Sequence, residues 1–81
     1  MDEAEATGES RRDRRRRAML AAAYEVFLEQ GYERTTLGDI LARSGGSRST
    51  LMEVFGGKEG LFVAVLLDVS SHVEEIFKTL E

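Results

Sequence analysis

Ser47-Arg48-Ser49-Thr50 is the run best suited to chemistry, four hydrogen-bonding side chains where the flanking pattern starts a short helix. Side chains of this kind on the first turn suit a helix that enters a DNA major groove by its N-terminal end, where base edges come within reach. Free amides of the same turn also favour phosphate. An ordinary corner between two surface helices would present the same caps, so the run is weighed with its surroundings.

Two basic features accompany it. Arg11, Arg12, Arg14, Arg15, Arg16 and Arg17 form a block interrupted only by Asp13. Such a block serves either as an arm and first turn meeting phosphates or the minor groove, or as a solvated helix start. Six cations on one stretch cannot all face one way, so about half of them would reach DNA. Lys58 opens a later helix, where its ammonium and the first-turn amides point the same way toward a phosphate; a solvated lysine is the plain alternative.

The formal net charge of −4 argues at first against a nucleic-acid partner. Distribution reverses that argument. Asp2, Glu3, Glu5 and Glu9 load the first ten residues and Asp68, Glu74, Glu75 and Glu81 the last helix, while over residues 34–58 Arg34, Arg43, Arg48 and Lys58 outnumber Asp39 and Glu53.

Other chemistry finds no constellation. His72 is the single histidine and has no Cys or second His at ligand spacing, so neither a metal site nor a general base is expected. Glu74 and Glu75 are adjacent and diverge by about 100° on a helix, unlike a paired-carboxylate site. Gly56, Gly57 and Gly60 cradle no phosphate, because Lys58 precedes the last glycine and no strand leads in. No enzyme and no cofactor are expected.

The positioning elements read as helices throughout. Proline and cysteine are absent and no apolar alternation occurs among the 81 residues, so the class is all-α, one small domain with a thin core. The lack of cysteine fits a reducing cytoplasm. The longest apolar run, Leu61 to Leu67, is far short of the roughly 20 residues of a membrane span. Residues 1–12 read as a disordered leader with a basic end. A first helix is expected over Ala18 to Gln30 from Leu20, Ala23, Tyr24, Phe27 and Leu28, with Phe27 central to the core and Gly31 as stop. Tyr32, just past that stop, is expected to fold back as a hydrophobic clasp. Thr36 and Asp39 make a capping box for a helix from Leu37, with Ile40, Leu41 and Ala42 on its apolar side and Arg43 in its last turn. Gly45 and Gly46 end it, and Ser47 caps the next helix, with Thr50 and Glu53 outward or half-outward and Leu51, Val54 and Phe55 inward. A long helix from Lys58 to about Leu80 carries Phe62, Leu66, Val69, Val73, Ile76 and Leu80 at steps of four and three, a heptad-like seam. Its first half, with Leu61 and Val65 beside it, can pack on the three earlier helices, but the half from Val69 onward extends past everything the chain supplies, which implies a partner.

From Met19 onward the order Ala22-Ala23, Phe27, Gly31-Tyr32, Thr35-Thr36, Asp39-Ile40, Gly45, Ser47, Thr50-Leu51, Phe55 and Lys58-Glu59 resembles the DNA-binding domain of the TetR family of bacterial transcription regulators. The resemblance spans roughly residues 13–73. It departs from the pattern at Gly46, where Val is usual, at Ser49, at Met52 and Val54, where aromatics are usual, and at Glu53. It implies a homeodomain-like three-helix core with a helix-turn-helix over 36–55 and a long fourth helix. Residues 74–81 would be the truncated connection to a C-terminal domain, dimerising and ligand-binding, that this sequence lacks. The expected partner is double-stranded DNA, an operator half-site read in the major groove. Thr36, Arg43, Ser47, Arg48, Ser49, Thr50, Met52 and Lys58, with Arg14, Arg15 and Arg16 of the basic block, are the expected contacts. An intact member would be a homodimer; this chain alone would dimerise weakly or not at all and carry no inducer site. The implied output is transcriptional control, more often repression. The rival expectation is a helical module that pairs with a full-length relative through the seam.

Overall fold

A computed structural model describes residues 10–80, which form four helices: α1 (Arg11–Gln30), α2 (Leu37–Ser44), α3 (Arg48–Phe55) and α4 (Lys58–Leu80). Residues 1–9, most of the expected leader, lie outside the described residues. Its basic end is helical: α1 begins at Arg11, well before the apolar periodicity starts at Ala18. The cause is a second capping box. Ser10 Oγ accepts from the Asp13 amide at 3.1 Å, and Asp13 Oδ2 accepts from the Ser10 amide at 3.3 Å. Arginine is itself a good helix former, so the block propagates what the cap starts.

The expected caps of α2 and α3 are present. Thr36 Oγ1 accepts from the Asp39 amide at 3.1 Å while Asp39 Oδ2 accepts from the Thr36 amide at 3.0 Å. Ser47 Oγ accepts from the Thr50 amide at 3.1 Å. Gly31, Gly45 and Gly56 end the first three helices, each donating its N–H back to the carbonyl four residues earlier.

The core gathers Met19, Ala22, Ala23 and Val26 of α1, Ile40 of α2, Leu51 of α3 and Leu61 and Val65 of α4. Two expectations shift by a rotation. The inward stripe of α1 includes Met19 and Val26, while Tyr24 and Leu28 are exposed, Leu28 to 70 %. On α4 Leu61 and Val65, expected beside the seam, are buried as expected, while Leu66 of the seam itself faces out. In both helices the apolar stripe is wider than the strip its neighbours can cover: α2 and α4 select the side of α1 that is used, and α1 and α3 that of α4. Ala42, expected inward on α2, is exposed for the same reason.

Phe27 is half-buried at the edge, not central. It meets Tyr32 and Phe62 in an aromatic cluster with ring centroids 5.0 to 5.7 Å apart. Tyr32 is therefore the clasp expected of it, joining the end of α1 to the start of α4. Thr35, buried beside it, donates its hydroxyl to the Gly31 carbonyl at 2.7 Å, which satisfies the one buried polar side chain among the described residues.

Gly60 sets how closely α4 approaches α3: a Cβ there would overlap the Phe55 carbonyl oxygen. Beyond Val65 every described residue of α4 is exposed, including Val69, Val73, Ile76 and Leu80, the last two to 59 % and 75 %.

Candidate nucleic-acid interface

On α3 burial separates an inner and an outer face. Leu51 is fully buried and Thr50, Val54 and Phe55 are half-buried, whereas Arg48, Ser49, Met52 and Glu53 are exposed. Those four recur at three- and four-residue steps and so share one side of the helix. Ser47 and Thr50 stand at its upstream edge, bound to each other: besides the cap, Ser47 Oγ donates to Thr50 Oγ1 at 3.0 Å. The Thr50 hydroxyl proton is left over for an outside acceptor. Arg48 and Ser49 make no side-chain hydrogen bond or ion pair among the described residues, so their donors point outward unengaged.

Because the arginine block is helical, it is a rod laid beside α3 and its turn, not an extended arm. Arg16 places its guanidinium carbon 5.4 Å from the Phe55 ring centroid, and Arg12 Nη2 lies 3.7 Å from Glu53 Oε1. Arg15 lies across the turn between α2 and α3. A Cβ on Gly46 would stand 3.0 Å from Arg15 Nη1 and 2.8 Å from Met19 Cε, and Gly46 has φ +92°. Glycine is thus required there twice, for the left-handed backbone and for the close passage of α1. Arg11, Arg14 and Arg15 line a shallow cleft with Ala18 and Ser44, so α1 brings cations to the α2 end as well.

Three other expected contacts are engaged within the chain. Arg43 forks onto Glu29 of α1, Nη1 to Oε2 at 2.7 Å and Nη2 to Oε1 at 3.0 Å, with Nη1 also 3.3 Å from Glu25 Oε1. Charge-assisted and bidentate, this arrangement fastens α2 to α1 and holds the Glu29 carboxyl below its ordinary value through the hydrogen bond from Arg43. Lys58 donates to the Tyr32 carbonyl at 2.9 Å and lies 4.2 Å from the Tyr32 ring centroid. It is half-buried, neither solvated nor wholly available to a phosphate. Thr36 is exposed but is committed through its amide and hydroxyl to Asp39. The Asp39 carboxyl is held low by the Thr36 amide first and then by the Gln30 side chain.

The run of residues and the fold agree with what is found among known proteins. Residues 19–65 match the family model described as bacterial regulatory proteins, TetR family. The chain belongs to the TetR family. It is 38 % identical over 65 residues to the HTH-type transcriptional activator FasR of Mycolicibacterium smegmatis, an alignment covering 80 % of this chain and 28 % of that protein. It is 45 % identical over 51 residues to the HTH-type transcriptional repressor ComR of Escherichia coli, covering 63 % and 24 %. With the HTH-type transcriptional regulator QacR of Staphylococcus aureus it shares 37 % identity over 60 residues, covering 74 % and 32 %. The chain therefore spans between 24 % and 32 % of the length of these relatives. No solved structure matches it. Membership in a family of regulatory proteins accords with a regulator and not an enzyme.

Within this TetR-family chain, one residue of the outer surface and one pairing there have no place in the sequence reading. Arg12 was expected in the leader; the signal that places it on α1 is Ser10-x-x-Asp13, a capping box like that of Thr36. Glu53 faces outward as its place on the helix leads one to expect, but its pairing across helices with Arg12 has no signal in sequence spacing. Among the described residues no group of three or more His, Cys, Asp or Glu could hold a metal ion. No described helix is long and apolar enough to cross a membrane.

Proposed function

We propose that this chain binds double-stranded DNA at an operator half-site and regulates transcription, by repression where that site overlaps a promoter. The observation that carries the reading is the outer face of α3, where Arg48, Ser49 and Met52 are exposed together beside the helical arginines of α1. In it α3 enters the major groove, Arg48 and Ser49 with Ser47 and Thr50 read or approach base edges, and Met52 offers apolar contact. Arg14, Arg15 and Arg16 hold phosphates, and Thr36 approaches one from the start of α2. Lys58 orders the α1–α4 junction and keeps donors over for a phosphate, whereas Arg43 serves mainly to hold α2 on α1. Repression accords with the name of one of these relatives and activation with that of another.

In an intact member a homodimer would place two such helices about 34–36 Å apart; one copy of this chain supplies one helix and binds weakly. The test is a salt titration of binding to duplex DNA. Log affinity should fall linearly with log salt, at about −0.9 per phosphate neutralised. The exposure of Val69, Val73, Ile76 and Leu80 supports a second reading, a module that pairs with a longer relative through α4. That association would hold or strengthen with salt, since it buries apolar surface.

A further inference from the structure

Glu53 is the sole carboxylate on α3, and it stands on the exposed face with Arg48, Ser49 and Met52. Nothing in the packing requires it. Its side chain is 72 % exposed, that of Arg12 is 73 %, and a 3.7 Å pair so exposed contributes little to stability. The core residues of α1 already hold that helix to the rest. The pair does have a consequence at the outer surface: Oε1 faces a guanidinium supplied by α1, while Oε2 makes no hydrogen bond among the described residues.

An ionised carboxylate only accepts hydrogen bonds. In the major groove the base-edge donors are the amino groups of cytosine and adenine, and adenine sets the N7 acceptor beside its own, which repels a carboxylate. Cytosine N4–H2 has no acceptor of its own beside it. The remaining obstacle is the phosphate field, and Arg12 stands where a cation would offset it.

We propose that Glu53 is a base-reading residue that selects cytosine by accepting from its 4-amino group, with Arg12 of α1 offsetting the carboxylate charge in the groove. This rests on the placement of α3 in the major groove proposed above, and it turns the one acidic residue of the reading face into a specificity determinant.

The test uses the 81-residue chain. Duplexes are selected from a random pool at about 50 mM salt, where phosphate contacts bind most strongly. Four duplexes differing at one base pair of the selected site are then compared. Cytosine should be favoured about five- to tenfold over the other bases at that position, and Glu53→Ala should reduce the ratio to about one. Glu53→Gln should move the preference toward adenine, whose N6 and N7 an amide can engage together. Arg12→Ala should weaken all four duplexes, and by at least about threefold more with Glu53 present than in the Glu53→Gln background, because only there is a charge left bare. Helical circular dichroism should be the same in all variants.

If Glu53→Gln tightens all four duplexes alike and leaves the base order unchanged, the carboxylate merely repels DNA and the proposal falls. Equal losses from Arg12→Ala in both backgrounds make Arg12 an independent phosphate ligand and overturn the offset. Should Arg48→Ala flatten discrimination while the Glu53 variants do not, the groove reading stands and this proposal alone is wrong. If neither alters discrimination, both fail.

Discussion

Arg48 and Lys58 are both cations near the candidate interface, yet their surroundings assign them different kinds of failure. Arg48 is the first residue of α3, with its guanidinium unengaged, and a fork at that position can reach guanine O6 and N7. Arg48→Ala should weaken the preferred half-site by about 1–3 kcal/mol and flatten preference at one base pair, with a smaller effect on random duplex, measured by titration against matched and scrambled DNA. Lys58 is tied to the Tyr32 carbonyl and lies over its ring. Lys58→Ala should therefore lower thermal stability, by about 1–2 kcal/mol, as well as weaken all DNA alike. If it shifts the salt slope by about one unit with no change in melting temperature, the junction role is wrong and the lysine is a phosphate ligand alone.

At the scale of the elements, stability is concentrated where helices end and cross. The start of α4 passes so close to α3 that Gly60→Ala must push the Phe55 carbonyl aside. Alanine favours a helix by about 1 kcal/mol over glycine, so an exposed site would gain from the change. Here a net loss of about 1–3 kcal/mol is expected in denaturant unfolding, because the obstructing atom is backbone and cannot rotate away. Acid should loosen the junctions of α2. Asp39 and Glu29 are both held below their ordinary values, Asp39 by the Thr36 amide first and Glu29 by Arg43 first. A carboxyl whose folded value is depressed stabilises the fold above the unfolded value, about 4, and loses that contribution as pH falls through the folded value. Melting temperature should thus decline as pH drops below about 4, and Asp39→Asn with Glu29→Gln should flatten the decline. Glu29 is exposed and Asp39 half-exposed, so salt should reduce the effect.

Over the whole molecule the packing is lopsided: the core lies among α1, α2, α3 and the first two turns of α4, and the rest of α4 projects. Val73→Glu with Ile76→Glu should leave the helical signal of the domain intact and reduce self-association in analytical ultracentrifugation. Loss of the whole signal would mean that α4 folds back on the others. Met19 and Leu51 stand at the opposite extreme, both fully buried. Met19→Ala or Leu51→Ala should each cost about 2–5 kcal/mol. For a domain this small, whose total stability is near the low end of about 5–15 kcal/mol, either change should leave much of the chain unfolded at 37 °C. Phe27→Ala should cost less, since Phe27 is only half-buried at the edge of the core.

Local chemistry was legible in the sequence because it acts over three or four residues. Thr36 with Asp39, Ser47 with Thr50 and the glycines after each short helix carry their hydrogen-bond partners in the adjacent chain, so the helix-turn-helix and the clasp of Tyr32 could be read without coordinates. The Ser10 cap was equally local, and it was overshadowed by an arginine run with no apolar period. What only the tertiary structure decided is which side of each helix faces in and which charges meet. Met19, not Phe27, is central because α2 crosses α1 on that side. Arg43 finds Glu29, Lys58 finds the Tyr32 carbonyl and Arg12 finds Glu53 across separations of 14, 26 and 41 residues. A sequence gives the charge and reach of such side chains, but their partners are fixed by how the helices cross, and that depends on the whole core at once.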